Sequence, residues 1–240
     1  MMRNRLMKRS GMAALASVIV VMAGCDSKAP PAPTPTRSIA PVKRPAAPVV
    51  EEVPIMIEAF ADDADLIRSL RKGGYVLALR HAQTDMTQKD EQGNNFEDCA
   101  KQRQLSQSGR ENARKIGEWF KQIGIPVGAV LTSPFCRNKE TAQRAFGRFT
   151  IDNAVMGQDD DSVGQRRALL STAPEAGKNT VVISHQKEMT KTTGLDLNEF
   201  GEGGALVLTP SGGPGGGFQV VHVIGYDDWE RLAKASAEVK

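Results

Sequence analysis

Histidine and cysteine are scarce in this chain, three of each among 240 residues. No histidine has neighbours at metal-ligand spacing, which excludes a metal centre of the structural-zinc kind, where several such residues recur at fixed intervals. A lasting excess of positive charge is lacking as well. The formal charge is +3, and Arg3, Arg5, Lys8 and Arg9 all stand within the first ten positions. Removing residues 1–24 takes away those four basic residues and no acidic one, so the charge becomes −1. No basic surface is then left to mark a nucleic-acid partner. The chain also lacks an internal repeat. Its apolar run, Met12 to Ala23, is too short for a confident membrane span.

That run follows the basic segment and ends in Gly24-Cys25, the layout of a secretory signal peptide over residues 1–24. VMAGC resembles a bacterial lipobox, which implies that Cys25 is lipidated and becomes the mature N-terminus; an uncleaved anchor helix is the alternative. Either way the rest of the chain is expected outside the cytoplasm, on the periplasmic side of one of the two membranes. Residues 25–54 are rich in Pro and Ala and hold no core-forming run, so they read as an extended tether. Residues 55–240 are long enough for one domain with a substantial core.

Within that domain Tyr75 to Leu79 is a short apolar run that stops at Arg80-His81. Val127 to Thr132 is a second, followed by Ser133-Pro134 and then Arg137, and Val181 to Ser184 is a third, followed by His185. Each reads as a buried strand of a parallel sheet. Ligands of open α/β sheets sit beyond the carboxyl ends of the strands, so these ends would deliver two arginines and two histidines to one crevice. Asp62 to Lys72, Ser106 to Ile123 and Arg137 to Phe146 have helical periodicity; Ser106 can cap the second, and Gly124 ends it. The alternation predicts a single three-layer α/β/α domain with a mostly parallel central sheet. A strand over Gln219 to Ile224 carries His222, read as structural. The polar stretch Asp85 to Arg103 reads as a long loop at the site edge, and Gly212 to Gly217 as a hairpin loop.

LRHAQT, LTSPFCRNKETA and VVISHQ together resemble the histidine phosphatase superfamily, with Ala82 and Gln83 where the family usually has Gly and Glu. The resemblance implies that His81 attacks phosphorus and forms a phosphohistidine that water hydrolyses, with no cofactor and no metal. Arg80 and Arg137 would clamp phosphate oxygens, suited by their planar forks, and His185 would donate to another oxygen. Arg103 resembles a further phosphate contact of extracytoplasmic relatives; Lys89 and Lys101 are weaker candidates. For the acid that protonates the leaving group, Asp160 is chosen from Asp159, Asp160 and Asp161, with Glu202 as the other candidate. The shortest family members work without an obvious carboxylic acid.

Two cysteines remain. In an oxidising compartment Cys99 and Cys136 could pair and pin the loop beside Arg137, or they stay two thiols. The expected partners are a phosphorylated small molecule or envelope glycan and, through Cys25, a membrane. The rival reading is a phosphate-binding module without turnover.

Overall fold

The computed structural model describes residues 59–91, 96–195, 201–211 and 217–240. The stretch read as a signal peptide, Cys25, the stretch read as a tether and most of the glycine-rich loop after Ser211 lie outside the described residues. The chain divides into Met1–Pro48 and Val49–Lys240, and everything below concerns the second unit.

Among the described residues six strands form one sheet: β1 (Val76–Arg80), β2 (Val127–Thr132), β3 (Thr150–Ile151), β4 (Asn179–Ser184), β5 (Ala205–Pro210) and β6 (Phe218–Ile224). Their spatial order is β3-β2-β4-β1-β5-β6. The first four run parallel and the last two antiparallel to their neighbours. Six α-helices among the described residues accompany them: α1 (Asp63–Lys72), α2 (Gln107–Ile123), α3 (Cys136–Phe146), α4 (Asp160–Leu170), α5 (Gln186–Thr193) and α6 (Tyr226–Ala235).

The pleat explains the layering. Successive strand side chains point to opposite faces, and on β1 Leu77 and Leu79 join one core with Val181, Ile183 and Val207. That core is closed by Leu66 and Leu70 of α1, Ile116 and Phe120 of α2, Ala142 of α3 and Trp229 of α6. Val76 and Ala78 point the other way, into a core with Val182, Leu206, Leu170 of α4 and Met189 of α5. The sheet is therefore sandwiched, and β1 and β4 are buried on both sides, as their unbroken apolar runs require.

Local signals fix the helix ends. Ser106 Oγ accepts from the Gly109 N–H at 2.9 Å, and Gly124 closes α2 in the left-handed conformation at φ 83°. Gly109 has a second reason to lack a side chain. A Cβ there would collide with the Gln83 carbonyl oxygen, so glycine lets the start of α2 press on the segment that follows β1. Any larger residue would push that segment away.

Cys99, in a 3-10 turn over Cys99–Lys101, is disulfide-bonded to Cys136, the first residue of α3, with Cα atoms 5.7 Å apart. The bond spans a sequence separation of 37 residues, and the chain-entropy model credits such a closure with about 4 kcal/mol. Urea unfolding of the full chain with and without a reductant should differ by an amount of that order. Equal midpoints would show that the bridge constrains nothing.

Candidate active site

Three parallel strands, β2, β4 and β1, end level with one another: Arg80 lies opposite Ser184, and Thr132 opposite Ile183. The residues that leave those ends, Arg80-His81, Ser133 and His185, are thereby brought to one edge. Arg137 follows on the first turn of α3. The strand order makes the chain step outward from β1 to β2 and return to β4 between them, and such a reversal is where open α/β sheets bind ligands.

His81 is 3% exposed, and its Nδ1 lies 2.9 Å from the Ala82 carbonyl oxygen. A carbonyl can only accept, so Nδ1 carries the proton and Nε2 presents a bare lone pair. The His185 ring meets the His81 ring edge-on with centroids 5.3 Å apart, and its Nε2 is 3.0 Å from Ser133 Oγ. Burial pushes the His81 imidazole down to about 3, helped by the positive charges of Arg137, Arg80 and Arg103 against the opposing pull of the Ala82 carbonyl. His185 is driven well below the ordinary histidine value for the same reason, burial first, then His81 and the same arginines. Both rings are neutral at neutral pH.

The cations are placed by distinct means. The Arg137 guanidinium stacks 4.4 Å above the Phe135 ring, and its Nη1 donates to Asp90 Oδ1 at 2.9 Å. Asp90 also accepts the backbone N–H of Arg103 at 3.0 Å, which ties Arg103 and Arg137 through one loop carboxylate. Gln102 Oε1 accepts the Cys136 N–H at 2.9 Å, so disulfide and amide together hold this loop on the start of α3. Arg80 Nη2 lies 3.7 Å from Glu202 Oε1. The buried Nε–H groups of Arg103 and Arg137 have no acceptor among the described residues. Buried guanidinium donors without partners are costly and point to an oxyanion ligand.

His81, His185, Arg80, Arg137 and Arg103 are thus brought together, and Cys99 and Cys136 are joined. Asp160 is not brought there. It is the exposed first residue of α4 and has no hydrogen bond or ion pair to these side chains among the described residues. The aspartate run serves a helix N-terminus instead: Asp159 Oδ1 accepts the Ser162 N–H at 2.9 Å, and Asp160 and Asp161 sit where the helix dipole favours negative charge. Lys101 lies at the exposed surface, 3.8 Å from Glu91. His222 packs edge-on against Phe60, as a strand histidine should.

Among the described residues Glu202 and Asp90 touch the cluster, and the buried Glu188 acts on Arg137 through its charge. The polar loop gave no local signal to single out Asp90. Ala82 is fully buried and its N–H donates to Thr141 Oγ1 at 3.1 Å, while Gln83 Oε1 accepts from Ser108 Oγ at 2.6 Å. Ala82 is therefore packed against α3, whereas Gln83 stays exposed and bonds to the start of α2.

Residues 76–156, about a third of the chain, match the histidine phosphatase superfamily (branch 1), and that stretch holds β1, the loop, α2, β2 and α3. No curated protein matches the chain. Among solved structures it is similar to the protein histidine phosphatase SixA complexed with tungstate, at 18% identity and TM-score 0.46, over 64% of this chain and 98% of that one. It is also similar to the mycobacterial glucosyl-3-phosphoglycerate phosphatase Rv2419c, at 15% identity and TM-score 0.45, over 62% and 100%. A third is a phosphoserine phosphatase mutant from Entamoeba histolytica in complex with phosphoserine, at 12% identity and TM-score 0.38, over 56% and 89%.

Proposed function

We propose that this chain is a phosphomonoester hydrolase that works through a phosphohistidine on His81. One observation carries the reading: a neutral imidazole with its proton fixed on Nδ1 and its Nε2 bare stands among three arginines, two of which keep buried Nε–H donors with no acceptor among the described residues. A phosphate ester is shielded by its own negative charge, so it needs cations on its oxygens and a nucleophile that is not an anion. Arg80, Arg137 and Arg103 supply the first and His81 the second, without requiring a metal. Phosphate oxygens would displace Asp90 from Arg137. His185, neutral in the free protein, would take up a proton as the dianion arrives and donate it to an oxygen.

No carboxylic acid is assigned to the leaving group. Asp160 is remote in its contacts, and Glu202 faces Nδ1 of His81 rather than Nε2. The favoured substrates are therefore phosphorylated small molecules or envelope glycans whose leaving oxygen is a good one or takes its proton from water. The disulfide suits an oxidising compartment, in keeping with anchorage through lipidated Cys25 on the periplasmic side.

The test is turnover of p-nitrophenyl phosphate by the full chain in EDTA, with an acid-labile phosphoryl group on the His81 peptide after rapid quenching. Turnover lost to chelation, or no phosphoryl group on that peptide, would sink this reading.

A further inference from the structure

The turn that carries Glu202 is fastened to the His81 backbone from several sides. The Gly203 N–H donates to the carbonyls of both Arg80 and His81, at 3.2 and 3.0 Å, and the Arg80 N–H donates back to the Gly204 carbonyl at 2.9 Å. The fully buried indole of Trp229 donates to the Gly203 carbonyl at 3.0 Å. Gly203 itself sits at φ 89°, with no room for a Cβ against the Tyr226 ring. So much fastening leaves the Glu202 carboxylate little choice of place. Its Oε1 accepts from Thr84 Oγ1 at 2.8 Å and its Oε2 from the Thr84 N–H at 3.2 Å. The same Oε1 lies 3.8 Å from His81 Nδ1 and 3.7 Å from Arg80 Nη2.

Glu202 thus stands behind the nucleophile, on the ring nitrogen opposite the one left bare. We propose that Glu202 is a positioning residue whose carboxylate sets the charge of His81 during phosphoryl transfer and holds the Arg80 guanidinium beside it. The inference rests on the phosphohistidine reading. In the first step the Nε2 lone pair forms the N–P bond while the P–O ester bond breaks, its electron pair leaving with the alcohol oxygen, which takes a proton from water. The imidazole still holds the Nδ1 proton, so it becomes a cation. The Ala82 carbonyl offers only a dipole to that cation, whereas Glu202 offers a full negative charge. In the second step water adds to phosphorus, the P–N bond breaks with its pair returning to Nε2, and the ring leaves neutral because Nδ1 kept its proton throughout. A phosphohistidine that lost that proton would have to leave as an imidazolide, a far poorer leaving group.

An opposite charge within about 4–6 Å raises the pKa of a cationic acid by one to three units. The measurement is therefore the titration of phospho-His81, followed by its 31P shift and by its hydrolysis rate, in wild type, Glu202→Gln and Glu202→Asp. The group is loaded either by p-nitrophenyl phosphate or chemically by phosphoramidate. With Glu202→Gln, the pH above which hydrolysis slows should fall by about one unit or more, with the phosphoenzyme accumulating at neutral pH. Glu202→Asp should restore most of the shift. Titration curves that coincide for wild type and Glu202→Gln would overturn the proposal, even if the variant were slower. Loading by phosphoramidate but not by the ester, with the pKa still displaced, would keep Glu202 in this role and remove the phosphatase reading. A His81 that neither reagent loads overturns both.

Discussion

His81→Ala should lose phosphatase turnover by about 10⁴-fold or more, because deleting a covalent nucleophile removes the reaction path and not just a contact. Phosphate or vanadate binding should survive in the same variant, since Arg80, Arg137 and Arg103 keep their anchors in Glu202, Phe135 and the disulfide-bound loop. Arg137→Lys should behave differently. Lysine can supply the charge but neither the fork nor the stacking on Phe135, so both turnover and anion binding should fall, turnover by about 10²- to 10³-fold. Steady-state kinetics and vanadate titration on the two variants separate the roles. An His81→Ala protein as active as wild type would show that the imidazole is not the nucleophile. Unchanged vanadate affinity in Arg137→Lys would show that this guanidinium does not clamp the anion.

Much of this site was legible because strand periodicity and strand termination are local properties. The apolar runs before Arg80 and His185 are buried on both faces and the run before Ser133 is half-buried beside them, and the polar residues that end them emerge at one edge. The cysteine pairing was readable only as an option, since the 5.7 Å Cα approach depends on how the loop folds back over α3. The carboxylates were harder to place. Three consecutive aspartates look like chemistry in a sequence, yet Asp159 bonding to Ser162 makes them a helix start. Glu202 and Asp90 gained their places from contacts 121 and 47 residues away along the chain, to His81 and Arg137. Such long-range approach is set by the packing of the Glu202 turn on Trp229 and of the loop on Cys136, and no window of sequence contains it.

Acid should unfold this protein early, and the two buried histidines should be the reason. In the folded chain His81 is pushed down to about 3 and His185 is lowered with it, whereas in the unfolded chain each titrates near the ordinary histidine value of about 6.5. Between those limits the unfolded state binds more protons than the folded one, so stability must fall as pH falls. Above pH 6.5 both states hold neutral rings and the effect vanishes. Moving from pH 7 to pH 5 should cost about 2 kcal/mol through His81 at roughly 1.4 kcal/mol per unit, mostly above the range where carboxylates titrate, with His185 acting in the same direction. Urea unfolding of the oxidised full chain at the two pH values measures the loss, and His81→Asn should remove the His81 share of it. Saturating vanadate should reduce it too, since a bound oxyanion favours the protonated pair. A midpoint unchanged between pH 7 and 5 would mean that the folded rings titrate like the unfolded ones, and a midpoint that rose on acidification would mean that they are already charged in the fold. Only in the second case could neutral His81 not serve as the nucleophile, so this titration tests the chemistry without any substrate.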